Sequence, residues 1–299
     1  MLTIFATGKP FRGQTAVAQR NAIQSWKALD AEVEIILFGD DEGAAETAAE
    51  FGLRHEGHVE KNEHGTKRLD YLFARAQAIA RHELLCYVNC DIILMEDFRR
   101  ALERVRAAHR EFLMVGRRWD TEITEAVDFA RAEWQTELRR LAMREGRQRT
   151  AEWIDYFAFT RGLYGAEMPA FVLRVFWDNW LVWKALEEKK AVVDASRVVV
   201  AVHQNHDYSY HPKGKQGVWS GDEAGQNGKL AGGWRHLRTI ADARERLGAE
   251  KLESNAGRHW SAVKRYARQA GRVLRDDVWH AVWFAVLDWT RPLRRRLRG

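Results

Sequence analysis

The sequence predicts an α/β layer fold, with a mostly parallel central sheet flanked by helices and a C-terminal helical extension. Three observations carry this. Short apolar, β-branched runs alternate with helical stretches through residues 1–95, as parallel strands joined by helical crossovers do. Several of those runs close on a carboxylate, as in "EIILFGD", "CYVNCD" and "VGRRWD". Residues 257–299 then set a basic segment beside an apolar one.

The elements follow in order. "LTIFAT" is a short buried strand and "GKPFRGQ" a turn. "TAVAQRNAIQSWKAL" has helical spacing at Val17, Ala18, Ala22, Ile23 and Trp26. "VEIILFGDD" is a second strand, and "EGAAETAAEFG" a short helix closed by Gly52. "TKRLDYLFARAQAIARH" is a helix leading into the strand "LLCYVN". After Asp91 come a helix, "MEDFRRALERVRAAHR", and a strand, "EFLMVGRRWD". Residues 121–152 read as polar and helical, and "WIDYFAFTRGLY" alternates like a strand. "PAFVLRVFWDNWLVWKALEEKK" reads as one long helix after Pro169, and "VVDASRVVVAVH" as one or two strands. Residues 204–235 are rich in glycine and read as a long loop, the usual sign of a lid or binding loop.

The 299 residues are 46% hydrophobic and 30% charged, enough for a sizeable core and a soluble surface. The formal charge of +6 is unevenly spread. Residues 257–299 hold 11 Lys and Arg against 3 Asp and Glu, so that segment carries +8 and leaves −2 on the rest. The basic character therefore predicts a partner for the tail and excludes a nucleic-acid-binding body. Cys86 and Cys90 lie four apart in one apolar segment with no zinc spacing, as reduced core thiols of a cytosolic protein do. The N-terminus has no basic and long apolar regions of a secretion signal, and no run reaches the roughly 18 apolar residues of a membrane span.

The segment "LLCYVNCDIIL" is unusual, because a buried strand seldom ends on a carboxylate and then returns to apolar residues. The flanking residues force Asp91 to the sheet edge. In open α/β sheets, ligands bind beyond the carboxyl ends of the strands. Asp40–Asp41, Asp91 and Asp120 stand at such ends. A carboxylate there can hold a divalent cation and through it a diphosphate; the alternative is that each caps the following helix.

The run Asn89-Cys90-Asp91, followed by Ile-Ile-Leu and a helix, resembles the Asp-x-Asp segment of GT-A-fold (Rossmann-like) nucleotide-sugar glycosyltransferases. "FWDNWLVWKALEEKKAVVDA" resembles the Glu-Asp-x-x-Leu helix of family-two-like inverting members, with Trp177 where Glu is usual and Asp178 and Leu181 in place. "VVVAVHQNH" resembles the strand whose histidine completes their metal site. Together the three motifs cover residues 1–210. "CYVNCDI", "FLMVGRRWD" and "LAGGW" are similar to an uncharacterised branch of such enzymes.

The resemblance implies a nucleotide-binding half over 1–95, an acceptor half with a lid loop over 96–256, and a separate tail. It implies Mn2+ or Mg2+ on Asp91 with His203, His206 being the rival ligand. The donor would be a UDP- or GDP-type sugar and the acceptor a glycan or lipid-linked molecule, in glycan or polysaccharide synthesis. Asn89 replaces the family's first carboxylate; it can bond a ribose hydroxyl but brings no charge to a metal. Thr7 and Lys9 would border the base, Asp40 would accept bonds from base or ribose, and Thr66 and Lys67 would reach the donor. Lys213, Lys215 and Arg235 would close over the diphosphate. Asp178 is the expected general base, its pKa raised by the aromatic stretch around it, with Asp155 as rival. Arg161 would bind an anionic acceptor or cap the sheet.

Two other readings stand beside this one. A nucleotidyltransferase would carry a basic Gly-rich phosphate loop, which "ATGKPFRGQ" matches poorly. A non-catalytic membrane-surface protein would explain Asn89 and Trp177. The tail bears on the second. Arg258, Lys264, Arg265, Arg268, Arg272 and Arg275 precede a mostly apolar run with Trp279, Trp283, Phe284 and Trp289, then more arginines. That run is about twelve residues, ~18 Å as a helix and too short for a ~30 Å hydrocarbon core. It suits an anionic membrane surface contacted through residues 258–299, and hence a cytoplasmic, peripherally attached protein; the alternative is a helix packed on the catalytic domain.

Overall fold

A computed structural model of the chain describes residues 1–206 and 214–257. The chain divides into two compact units, Met1–Asn255 and Ala256–Gly299. The expected tail contact with a membrane lies outside the described residues, as does Lys213; the side chain of Lys215 does too.

Strand β1 (Leu2–Thr7) and strand β2 (Glu34–Phe38) are buried at every position, which is why they read as continuous apolar runs rather than alternating ones. Helix α1 (Gly13–Lys27) joins them and buries Ala22, Ile23 and Trp26. Helix α2 (Ala44–Phe51) ends at Gly52 with φ +66, the left-handed stop that glycine adopts without penalty. After β3 (Arg54–Glu56), helix α3 (Leu69–Ile79) leads to β4 (Leu84–Val88). Thr66 and Lys67 therefore sit in an extended segment before α3, not on the predicted helix.

A two-residue strand, β5 (Ile92–Ile93), follows Asp91, and then α4 (Glu96–Ala108), β6 (Phe112–Thr121), α5 (Trp134–Glu145), β7 (Arg147–Gln148) and β8 (Ile154–Thr160). Helix α6 (Trp177–Glu187), β9 (Ala191–Asp194) and β10 (Ala201–Gln204) come next. Helices α7 (Gly214–Ser220) and α8 (Asp222–Leu230), two 3-10 turns, β11 (Glu245–Leu247) and β12 (Leu252–Ser254) complete the described chain.

The main sheet runs β12-β11-β9-β6-β8-β4-β1-β2-β3. Only β8 within it, and β12 at its edge, run antiparallel to their neighbours. Apolar cores fill both faces, one around Ile23, Trp26 and Phe98, the other around Phe73, Phe159 and Leu181.

Strand β6 serves two sheets. Its first half pairs with β8 and β9 in the main sheet; past a bulge between Val115 and Arg117 it pairs with β10 and β7. Gly116 is needed at this bend, because a Cβ there would overlap the Tyr156 hydroxyl. The return to Ile-Ile-Leu after Asp91 has the same cause. Residues 92–93 do not continue β4; they leave the main sheet and pair with β10, Ile92 opposite His203. Asp91 sits at the corner between two sheets.

Three helical expectations need correction. Residues 122–133 are not helical, because the buried Asn21 of α1 bonds the backbone of Glu125 and Val127 and imposes an irregular path. The long helix after Pro169 begins only at Trp177; residues 172–175 are held in an irregular, bent path by Asn227 and by a bridge from Arg68 to Val172. The glycine-rich stretch over residues 204–235 contains α7 and α8 rather than one long loop. Among the described residues, no helix is long and apolar enough to cross a membrane.

Candidate active site

A cavity of about 810 Å³ opens beyond the carboxyl ends of β1 and β4, reached by Thr7, Asn89 and Asp91 from the strands and by Asp178 from α6. At its floor the Asp91 carboxylate meets two histidines. His206 Nε2 lies 3.2 Å from Asp91 Oδ2, and His203 Nε2 3.8 Å from the same oxygen. The pairing of β5 with β10 brings His203 there. Burial by itself raises the Asp91 pKa, but the charge of His203, the contact with His206 and the Lys9 ammonium outweigh it and hold the carboxyl well below its usual range.

These three groups fit a divalent cation. One ligand atom from each can be chosen so that all lie within 4.8 Å of one another. Asp91 Oδ1 is buried and has no hydrogen-bond partner among the described residues, so a lone pair is left for a ligand. On its other side His203 Nδ1 faces Asp120 Oδ1 at 3.2 Å, the carboxylate contact that fixes ring orientation in many metal-bound histidines.

Arg118 joins this floor to the opposite wall. Its Nε donates to Asp120 Oδ1 at 2.8 Å, and its Nη1 donates to Asp155 Oδ1 at 2.8 Å. Its guanidinium stacks on Trp153 at 4.7 Å, and that of Arg149, ion-paired with Asp120, on Trp153 at 4.2 Å. Asn89 Nδ2 donates to the same Asp155 oxygen at 2.7 Å. This explains the asparagine, since a carboxylate at position 89 would stand against Asp155. Asp155 is thus a buried ion-pair partner of Arg118, with one carboxylate oxygen shared between Arg118 and Asn89.

The expected base, Asp178, lies in the first turn of α6 and faces the cavity. Burial, reinforced by the charge of Asp155, pushes its pKa up to about 7. Its Oδ1 is buried and has no hydrogen-bond partner among the described residues. A carboxylate in this state can take a proton near neutral pH.

The remaining candidates scatter. Lys9 reaches the floor, with Nζ 3.4 Å from His206 Nε2. Thr7 borders the cavity, but its hydroxyl donates to the Phe38 carbonyl at 2.8 Å and accepts from Lys67 at 2.9 Å. Lys67 is buried; its ammonium bonds Thr7, the Gly8 carbonyl and Asp41, which occupies all three of its donors. It ties strand ends together and has no donor left for a phosphate. Thr66 accepts from Arg174 at 3.0 Å on the cavity wall. Asp40 is exposed and paired with Lys61 at 2.7 Å, away from the cavity, where Asp41 stands instead.

Arg161 lies at the other edge of the sheet from Asp91. Because β8 is antiparallel to β4, its C-terminal end lies at the amino end of β4, where Arg161 donates to the carbonyls of Ala80 and His82 at 2.8 Å each. It caps the sheet and does not line the cavity. Arg235 is exposed in the 3-10 turn Trp234–His236 and does not line the cavity.

Sequence reasoning missed Arg118 and Arg174. The signal for the first is the spacing of Arg118 and Asp120 in "GRRWD", two apart and so on one face of a strand; Arg174 gives none.

No family model matches the chain, and no curated protein matches it. Solved structures similar to it include glucosyl-3-phosphoglycerate synthase from Mycobacterium tuberculosis in complex with Mg2+ and UDP. It is 14% identical, with 69% of this chain and 72% of that one covered, at a TM-score of 0.42. Another is S. aureus TarS 1-349 in complex with UDP-GlcNAc, 10% identical, with 69% of this chain and 58% of that one covered, at a TM-score of 0.46. Both hold a uridine diphosphate compound.

Proposed function

We propose that the chain transfers a sugar from a nucleoside diphosphate donor of UDP or GDP type to an acceptor hydroxyl, with inversion and with a divalent metal. The observation that carries this reading is the pair of groups facing one cavity, the Asp91–His203–His206 cluster and the raised carboxyl of Asp178. Breaking a sugar–phosphate bond puts growing negative charge on the departing diphosphate. Asp91, His203 and His206 would hold Mn2+ or Mg2+, which supplies charge neutralisation at that diphosphate. Lys9 adds a positive charge at the same place. Asp178 takes the proton of the attacking hydroxyl. Arg118 keeps Asp155 and Asp120 in place. The hydrogen bond from Asn89 to Asp155 gives the departure from the family pattern a use, which speaks against the non-catalytic reading. In this reading the acceptor is a glycan or lipid-linked molecule.

Nucleotide thermal shift tests the reading. UDP or GDP with Mn2+ should raise Tm by several degrees, and more than the nucleoside triphosphates do. Preference for a triphosphate would favour nucleotidyl transfer, and the absence of any shift would favour a non-catalytic role. The tail is a separate proposal. The full chain should float with liposomes containing anionic lipid and a chain ending at Gly257 should not; equal behaviour of the two would remove the membrane contact.

A further inference from the structure

The stretch "SGDEAGQNGK" has no part in the chemistry above, yet as α8 it grips the segment that presents Asp178. Asn227 is fully buried and makes three hydrogen bonds to that segment. Its Oδ1 accepts from the Val172 amide at 3.1 Å, and its Nδ2 donates to the carbonyls of Val172 at 2.9 Å and Val175 at 3.0 Å. One turn earlier, Glu223 accepts from Arg174 Nε and from Asn62 Nδ2 at 2.8 Å each. One residue later, Gly228 lies against the Phe176 ring, where an added Cβ would sit 3.5 Å from two ring carbons.

The gripped segment ends in an unfavourable conformation. Phe176 has φ +80 and ψ −25, a left-handed backbone that a bulky residue rarely adopts. Helix α6 begins at the next residue, and Asp178 follows. Such a residue persists only where its surroundings over-determine it. The contacts from α8 hold the segment here, together with the backbone bridge from Arg68 to Val172 and the bond from the Leu173 amide to the Lys67 carbonyl.

We propose that Asn227 is a positioning residue. It holds residues 172–175 so that Phe176 stays left-handed and the first turn of α6 aims Asp178 into the cavity. Only the kinetic consequence rests on Asp178 being the base. Without the grip, Phe176 returns to negative φ and the start of α6 rotates.

The test uses the full chain with Asn227→Ala, Phe176→Gly and the double variant, and with Glu223→Gln, which loosens the Arg174 handle without opening the core. Amide hydrogen exchange over residues 172–180 should rise about tenfold or more in Asn227→Ala and less in Glu223→Gln, with β1 and β4 unchanged. Turnover should fall about 10- to 100-fold in Asn227→Ala, while the UDP Kd in the presence of Mn2+ stays within about twofold. Glycine takes positive φ without penalty, so Phe176→Gly should restore part of both the protection and the turnover in the Asn227→Ala background. A merely structural asparagine would predict the reverse, since an added glycine would loosen the segment further. Unchanged exchange at 172–180, or a double variant no better than Asn227→Ala, would overturn the proposal. Altered exchange with rescue of protection but no effect on turnover would uphold the grip and sink Asp178 as base, so the two claims fail separately.

Discussion

Replacing Asp91 by Ala should reduce sugar transfer by about 10³-fold or more, the scale of losing a principal charge-stabilising group at a departing anion. The chain should stay folded. Asp91 lies at the corner between β4 and β5, and the strands beside it are held by their own ladders. The control is Asp40→Ala, which removes an exposed carboxylate paired only with Lys61 in the described structure and should leave turnover within about twofold. The two variants separate the strand-end carboxylates that looked alike in the sequence. Full activity in Asp91→Ala would remove the metal-site argument.

The second large effect is at Asp178. Asp178→Asn keeps the shape of the side chain but cannot accept a proton, so kcat should fall about 100-fold or more. In the native chain the rate should rise with pH through about 7, where the carboxyl loses its proton, and the variant should lack that limb. Stability should move the opposite way. The folded-state pKa lies above the ordinary value of 3.8, so the neutral carboxyl favours folding. That contribution is complete below the ordinary value and is lost as pH rises to about 7. At pH 8 the native chain therefore bears an ionised, poorly solvated group that Asp178→Asn removes. The variant should melt higher than native at pH 8 and at about the same temperature near pH 4. If Asp155→Asn instead lost turnover while Asp178→Asn kept it, the base would be misassigned.

Much of the fold was legible because the parallel strands are buried on both faces. β1, β2 and β4 announce themselves as apolar runs, and Asp91 stands out against them. What the residues could not show is where the chain changes sheets. The bulge at Gly116 turns Arg118 and Asp120 towards Asp155 and His203, and no local pattern in "VGRRWD" marks a strand that serves two sheets. Helix α8 was illegible for a different reason. Its glycines argue for a loop, and its conformation is supported by tertiary bonds from Asn227 and Glu223. Lys67 was expected to reach the donor, and for Arg161 the sequence left open an anionic acceptor or a cap on the sheet. Burial consumes the first, and the antiparallel direction of β8 carries the second to the far edge.

The central claim is that Asp91 and its two histidines bind a metal that in turn binds a nucleoside diphosphate. Titration calorimetry of UDP and of GDP into the native chain and into Asp91→Ala, each with and without Mn2+, tests it most directly. The account predicts that Mn2+ tightens binding of one of these nucleotides to the native chain by about tenfold or more, roughly 1.4 kcal/mol, and leaves its binding to Asp91→Ala unchanged. Nucleotide binding that ignores Mn2+ in both proteins, or an equal gain from Mn2+ in both, would contradict it.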